Sequence, residues 1–334
     1  MGRTVIVGDV HGCFDELLEL LEKVGLRPDD LLVSVGDLVD RGPAPGKVVR
    51  FFRERPNSVV VMGNHERKHV RGVFSYAQEI TRLQLGDEYA RTVEWMRTLP
   101  YFFESEDVRV VHAALVPGVP LSDQKDEILC GTTSGERELA ALFPDGHWHD
   151  RYTDAKPVVF GHHVTGREPL VRDGRVFGLD TGACHGWNLT ALCVPGFTVH
   201  SVAARADHWS IAKRAWQLPV LKTRPWRDFT WAELEEKVAR FSGTADEATR
   251  EWLRAVEEWA AALRALVPVL VDAAHRIAGE LAADEMRRHP AAPVLFQARS
   301  GRLDQTALAK RCATPRRTLD VAAALGVAAP GPPG

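Results

Sequence analysis

Thr4-Val5-Ile6-Val7-Gly8-Asp9-Val10-His11-Gly12 decides the fold. An apolar β-branched run stops at a glycine, an acid and an imidazole follow two apart, and a second glycine lets the chain turn. Beyond it, Phe14, Leu17, Leu18, Leu20, Leu21 and Val24 recur at helical spacing and end at Gly25, a C-cap signal. The pattern then repeats. Leu31–Val35 reads as a strand and runs into Gly36-Asp37-Leu38-Val39-Asp40-Arg41-Gly42. Lys47–Arg53 reads as a short helix, and Ser58–Met62 as a third strand entering Gly63-Asn64-His65-Glu66. Strand–helix–strand units in series predict a layered α/β domain.

Further strands are expected at 108–112, 158–161, 175–179, 189–193 and 198–202. The last four have no helix between them and read as a more antiparallel half. Gln78–Leu99 reads as helical. Leu121–Asp154 reads as an irregular, substrate-facing lid, with His147, Trp148 and His149 either lining it or simply packed within it. After about Ala204 strand signals stop. Capping boxes at Thr230/Glu233 and Thr244/Glu247 open helices. The second carries a stripe of Trp252, Val256, Trp259, Leu263 and Leu266, read as core or a seam between copies. Pro268 kinks that helix or starts the next, a helical run covers 269–288, and a last helix is expected over Gln305–Leu325. The division expected is a catalytic domain at 1–204, a helical region at 205–326 and a disordered Pro/Gly-rich tail at 327–334.

Length and composition bound the rest. A chain of 334 residues suits two domains, and 45% apolar with 26% charged residues is a globular balance. A net charge of −3 gives no global pull toward nucleic acid or lipid. The five scattered cysteines form neither a disulfide framework nor a C-x-x-C metal motif. With no signal-like N-terminus and no apolar run of membrane-spanning length, the expectation is a cytoplasmic protein with no membrane partner.

The chemistry is concentrated at strand ends: the three clusters above, then His112 after Val110-Val111, then Gly161-His162-His163 after Val158-Val159-Phe160. Ligands of α/β sheets gather beyond the carboxyl ends of strands. Carboxylates, an amide oxygen and several imidazoles together suit Mn, Fe, Zn or Ni better than Mg or Ca. They are too many for one ion and fit two with a bridging carboxylate.

These motifs, GDVHG, GDLVDRG, GNHE, an isolated His and GHH, resemble the calcineurin-like metallophosphoesterase superfamily and its phosphoprotein phosphatase branch, over residues 3 to 202. Phe177-Gly178-Leu179-Asp180-Thr181-Gly182 with Asn188-Leu189-Thr190-Ala191-Leu192 is similar to symmetrical dinucleoside-tetraphosphate hydrolases, PrpE-like proteins and the phosphatase module of bacterial RNA-repair enzymes. Ala113-Ala114 and Ala183-Cys184-His185-Gly186-Trp187 depart from the usual pattern and bear on the substrate rather than the metals. The resemblance implies a four-layer αββα sandwich with a C-terminal helical appendage. It implies Asp9, His11 and Asp37 on one divalent cation, and Asp37, Asn64, His112 and His162 on the other, with Mn2+ first and Fe, Zn or Ni as alternatives. It further implies in-line attack by metal-bound hydroxide, His65 oriented by Asp40 as acid, Arg41 clamping phosphate, and Asp180 on the substrate side.

The substrate expected is a dinucleoside polyphosphate, with a Ser/Thr phosphoprotein or an RNA-end phosphate as alternatives. His163 is expected not to ligate, Glu66 and Arg67 to pair behind the ligands, and Cys13 and Cys184 to be buried thiols. The basic cluster Lys310, Arg311, Arg316 and Arg317 reads as a solvated helix face, and the helical region is a place for oligomerisation.

Overall fold

The computed structural model describes residues 2–243 and 245–334. They form two compact units, 1–216 and 217–334.

The first unit begins with β1 (Thr4–Val7), α1 (Phe14–Lys23), β2 (Leu31–Ser34), α2 (Pro45–Glu54), β3 (Ser58–Val60), α3 (Asn64–Arg71), α4 (Tyr76–Leu85) and α5 (Tyr89–Met96). It continues with β4 (Phe102–Glu104), β5 (Arg109–Val111), α6 (Asp126–Leu129), α7 (Thr133–Leu142), β6 (Val158–Phe160), β7 (Leu170–Arg172), β8 (Val176–Gly178), β9 (Asn188–Val194), β10 (Thr198–Ala203) and α8 (His208–Ala215). One mixed sheet has the order β10-β9-β1-β2-β3 and the other β4-β5-β6-β8-β7.

The pleat explains why two sheets stack. Along β1, Ile6 points into a core shared with Val33, Val110, Val159, Phe177 and Leu192 from both sheets. Val5 and Val7 point the other way, against Leu17 and Leu20 of α1 and Val48 and Phe52 of α2. In the second sheet Val110 faces the shared core, whereas Val111 faces Ile128, Leu129 and Trp148. Helices cover one outer face and the α6–α7 segment the other, which is the αββα sandwich expected. Because β1, β2 and β3 are parallel, their carboxyl ends point the same way and bring three polar turns to one edge.

Several expectations change. Residues 121–154 are not irregular, since Thr132 caps α7 by accepting from Gly135 N, and Trp148 takes the packed one of its two expected places, 3% exposed in the core. The 78–99 run is two helices, parted where Gly86 adopts a φ of 50°. The late strands are the more antiparallel half expected, with β9 antiparallel to β1 and β10 and β7 antiparallel to β8, while β6 runs parallel to β5 and β8.

The first unit also extends past 204. Glu16 of α1 accepts from Arg205 N (3.0 Å) and pairs with His208 Nε2 (2.7 Å), which ties α8 to the sheet layer. Burial pushes the Glu16 carboxyl up, but the hydrogen bonds from His208 and Arg205 outweigh it and hold the group down at about 2. A depressed carboxyl stabilises the fold above its unfolded value of 4.5, and that stability is lost as pH falls toward 2. In metal-free protein, Glu16→Gln is expected to cost on the order of 3 kcal/mol at neutral pH, with the gap to wild type closing on acidification. Thermal melts of both proteins from pH 6 down to ~2.5 check this; a gap that stays constant refutes it.

The second unit is helical: α9 (Gln217–Lys222), α10 (Trp231–Ser242), α11 (Glu247–Ala265), α12 (Val267–Glu280), α13 (Ala283–Arg288), α14 (Ala292–Arg299), α15 (Gln305–Arg311) and α16 (Pro315–Ala324). Thr230 and Glu233 form the capping box expected. The Thr244 box lies outside the described residues, and Asp246 caps α11 by accepting from Thr249 N. The α11 stripe is internal, with Trp252, Val256, Trp259 and Leu263 all buried, so it is core and not a seam between copies. Pro268 stands in the first turn of α12, and Pro315 opens α16 and divides the expected last helix in two. The tail has no regular structure but is not loose. Trp259 Nε1 donates to Pro330 O and Trp252 Nε1 to Gly334 O, both at 3.0 Å. Buried indoles need acceptors, and an extended Pro-rich segment has free carbonyls to offer.

Candidate metal centre

Asp37 lies at the middle of the polar edge. It follows β2 at a φ of 51°, is 2% exposed, and faces four imidazoles. Its Oδ2 is 3.5 Å from His11 Nε2 and 3.8 Å from His65 Nε2, and its Oδ1 is 3.4 Å from His112 Nε2. It therefore belongs to two groups whose donor atoms lie within 4.8 Å of one another, His11–Asp37–His65 and Asp37–His112–His162. Burial opposes its charge, but the imidazoles of His112, His65, His11 and His162 outweigh that and hold the carboxyl well below the usual range.

The surrounding contacts aim each candidate donor atom. His11 Nδ1 bonds Val39 O (2.8 Å) and His112 Nδ1 bonds Val35 O (2.9 Å). A nitrogen that donates to a carbonyl leaves the opposite one as the lone pair, here Nε2 directed at Asp37. Asn64 Oδ1 lies 3.2 Å from His112 Nε2 and 3.3 Å from His162 Nδ1. Asp9 is drawn to the same place by His162 N, at 3.0 and 3.2 Å from its two oxygens. Two glycines allow these approaches: a Cβ on Gly161 would stand 1.9 Å from Asp9 Oδ1, and one on Gly63 2.2 Å from Asp37 Oδ1.

The charge balance tests whether cations fit. Asp9, Asp37 and Asp180 are all at most 4% exposed. Burial and the charges of Asp180 and Asp37 push Asp9 far above the carboxylate range, and burial with Asp37 pushes Asp180 up to about 6. Burial and the Arg41 charge push His11 well down, and burial with His112 takes His162 down to about 4. Mutually repelling buried acids among neutral imidazoles suit divalent cations, which need deprotonated ligands.

Behind these candidate ligands sits a network the sequence only partly revealed. Asp40 Oδ2 holds His65 Nδ1 at 2.5 Å, and Asp40 Oδ1 holds His69 Nε2 at 2.9 Å. Gln78 Nε2 also donates to Asp40. His69 stands one helical turn beyond His65, a spacing the sequence carried; Gln78, which also accepts from Ser75 N at 3.1 Å, lay in the run read only as helical. Glu66 accepts from the backbone N–H of Asp37, Leu38, Val39 and Gly63 at 2.9 to 3.3 Å and so shapes the turn. Burial and the Asp37 charge push its carboxyl up to about 8 against those donors. Arg41 reaches His11 Nε2 at 3.0 Å. Burial pushes the Cys184 thiol up to about 12, which leaves it no nucleophile. Glu136 of α7, in the region read as a loop, meets His162 Nε2 at 2.8 Å; no motif marked it.

A polar edge on a two-sheet sandwich, with Asp37 common to two groups that could hold a metal ion, is an arrangement suited to a metallophosphoesterase. The chain belongs to the calcineurin-like phosphoesterase family, whose model matches residues 2–195, and is accordingly a phosphoester hydrolase of a family that implies divalent metal ions. It is similar to a symmetrical bis(5'-nucleosyl)-tetraphosphatase of Salmonella paratyphi C, 27% identical in an alignment that covers 57% of this chain and 90% of the relative. The protein of the same description from Salmonella typhimurium is 28% identical with the same coverage. A crystal structure described as a candidate diadenosine tetraphosphatase is 29% identical, with a TM-score of 0.50 over 61% of this chain and 94% of that one. Among the described residues no helix is long and apolar enough to cross a membrane.

Proposed function

We propose that the chain hydrolyses a phosphoanhydride bond of a dinucleoside polyphosphate by direct transfer to water. The observation that carries the reading is the position of Asp37 in both ligand groups, as a bridging carboxylate requires. Asp9, His11 and Asp37 would hold one cation, and Asp37, Asn64, His112 and His162 the other. When bound, the pair would neutralise phosphoryl oxygens and acidify a water, with Mn2+ as the ion we favour.

The chain's own residues do the rest. Asp37, charged and fixed by His65 N at 3.1 Å, keeps the two ligand groups in register. Arg41, half-buried beside His11, presents a forked donor to phosphate oxygens. His65, its Nδ1 held by Asp40, turns Nε2 inward to protonate a leaving oxygen. Asp180, beside the acids, would set the substrate side. The relatives described as tetraphosphatases favour a dinucleotide over a phosphoprotein.

The test is hydrolysis with Mn2+ of diadenosine tetraphosphate, a phosphoserine peptide and 4-nitrophenyl phosphate side by side. The dinucleotide is expected to have the highest kcat/KM and to yield nucleoside diphosphate. A preference for the peptide would make the chain a protein phosphatase.

A further inference from the structure

His162 leaves β6 at a φ of 65°, a conformation that needs support in a residue with a Cβ. Support comes from the α6–α7 segment. Gly131 lies under the ring, where a Cβ would stand 2.7 Å from His162 Cε1 and Nε2. One turn on, Glu136 Oε1 meets Nε2 at 2.8 Å, a closer contact than the 3.3 Å from Nδ1 to Asn64 Oδ1. The carboxylate is itself well placed. Thr132 caps its helix through Gly135 N at 3.1 Å, and a Cβ on Gly135 would collide with Glu127 O. Glu127 in turn takes Arg67 Nη2 at 2.6 Å, from the helix that carries Asn64 and His65.

We propose that Glu136 is a positioning residue of the metal centre: it accepts the Nε2–H of His162, fixes that tautomer, and keeps Nδ1 as the lone pair directed at Asn64 and Asp37. The inference rests on the reading of His162 as a ligand. A ligand imidazole that donates its other N–H to a carboxylate is oriented and made more basic, and loss of such a partner costs about 10- to 100-fold in metal affinity. The covering helix then contributes to metal retention, not only to the walls of the site. Because the Glu136 side chain is 46% exposed, its replacement leaves the core untouched. His163 also comes within reach of Glu136, so the three groups present a rival arrangement, a separate ion shared by Glu136, His162 and His163.

The experiment is calorimetric titration of the metal-free 334-residue chain with Mn2+, for wild type, Glu136→Ala, Glu136→Gln and His162→Ala. Nitrogen NMR of the imidazoles in the metal-free proteins accompanies it. Wild type is expected to bind two ions. Glu136→Ala should weaken one of them about 10- to 100-fold and leave the other unchanged. Glu136→Gln, which keeps an acceptor, should recover part of the loss. The Nε2-protonated signal of His162 should be present in wild type and mixed with the other tautomer in Glu136→Ala. Unchanged affinities in Glu136→Ala, with an ion lost in His162→Ala, would overturn the proposal and leave the ligand reading standing. Both ions retained in His162→Ala would overturn the ligand reading and the proposal with it. Three ions in wild type and two in Glu136→Ala would make Glu136 a ligand and refute a positioning role.

Discussion

Asp37→Asn is expected to lower hydrolysis by on the order of 10³-fold or more and to leave at most one cation bound, in a protein that still folds. The size follows from what one carboxylate does for two ions. Charge stabilisation by bound metal is worth several kcal/mol, and each ~1.4 kcal/mol is tenfold in rate. Asparagine keeps the shape and can still accept from His65 N, so the turn survives. What it loses is the negative charge that the His11, His65 and His112 nitrogens face at 3.4 to 3.8 Å. Metal content by mass spectrometry, kcat with diadenosine tetraphosphate and a circular dichroism melt check the three parts separately. Two ions retained at near-normal rate would refute the bridging role.

His65→Ala is expected to keep both ions and to lose about 10²- to 10⁴-fold in kcat where the leaving oxygen needs a proton. Phenyl phosphate is such a substrate; 4-nitrophenyl phosphate, with its stable leaving anion, should suffer far less. The geometry behind this is the 2.5 Å contact of Nδ1 with Asp40, which spends one ring nitrogen on orientation and leaves Nε2 facing Asp37. The competing assignment is equally concrete, because His65 shares a ligand group with His11 and Asp37. A variant that loses an ion, or one slowed equally on both substrates, would assign His65 to the metal instead.

Much of this was legible because parallel strands and strand-end turns announce themselves locally. β1, β2 and β3 are apolar runs that stop at Gly8, Gly36 and Gly63, and the ligand types follow at once. What was not legible depends on partners distant in sequence. β4 and β7 are three-residue edge strands, defined by pairing with β5 and β8 and not by their own composition. Glu136 has its role only because α7 folds over β6. The tail is ordered by two indoles that lie 71 and 82 residues away in sequence. Helix breaks at Gly86 and Pro315 were visible as residues, but whether each ends a helix is decided by packing.

Among the described residues, the non-glycine residues at positive φ are His11, Asp37, Asp40, Arg41, His162, Asp173 and Phe197, and the first five all belong to the proposed centre. Each costs roughly 1 kcal/mol that glycine would not. The fold thus carries a standing trade between durability and activity, concentrated in a handful of positions. Selection for heat resistance alone, in the absence of metal, would be rewarded for putting glycine there and would drift toward stable, inactive proteins. Selection for turnover would have to keep the strain and recover the loss elsewhere, in the helices and the outer sheet faces.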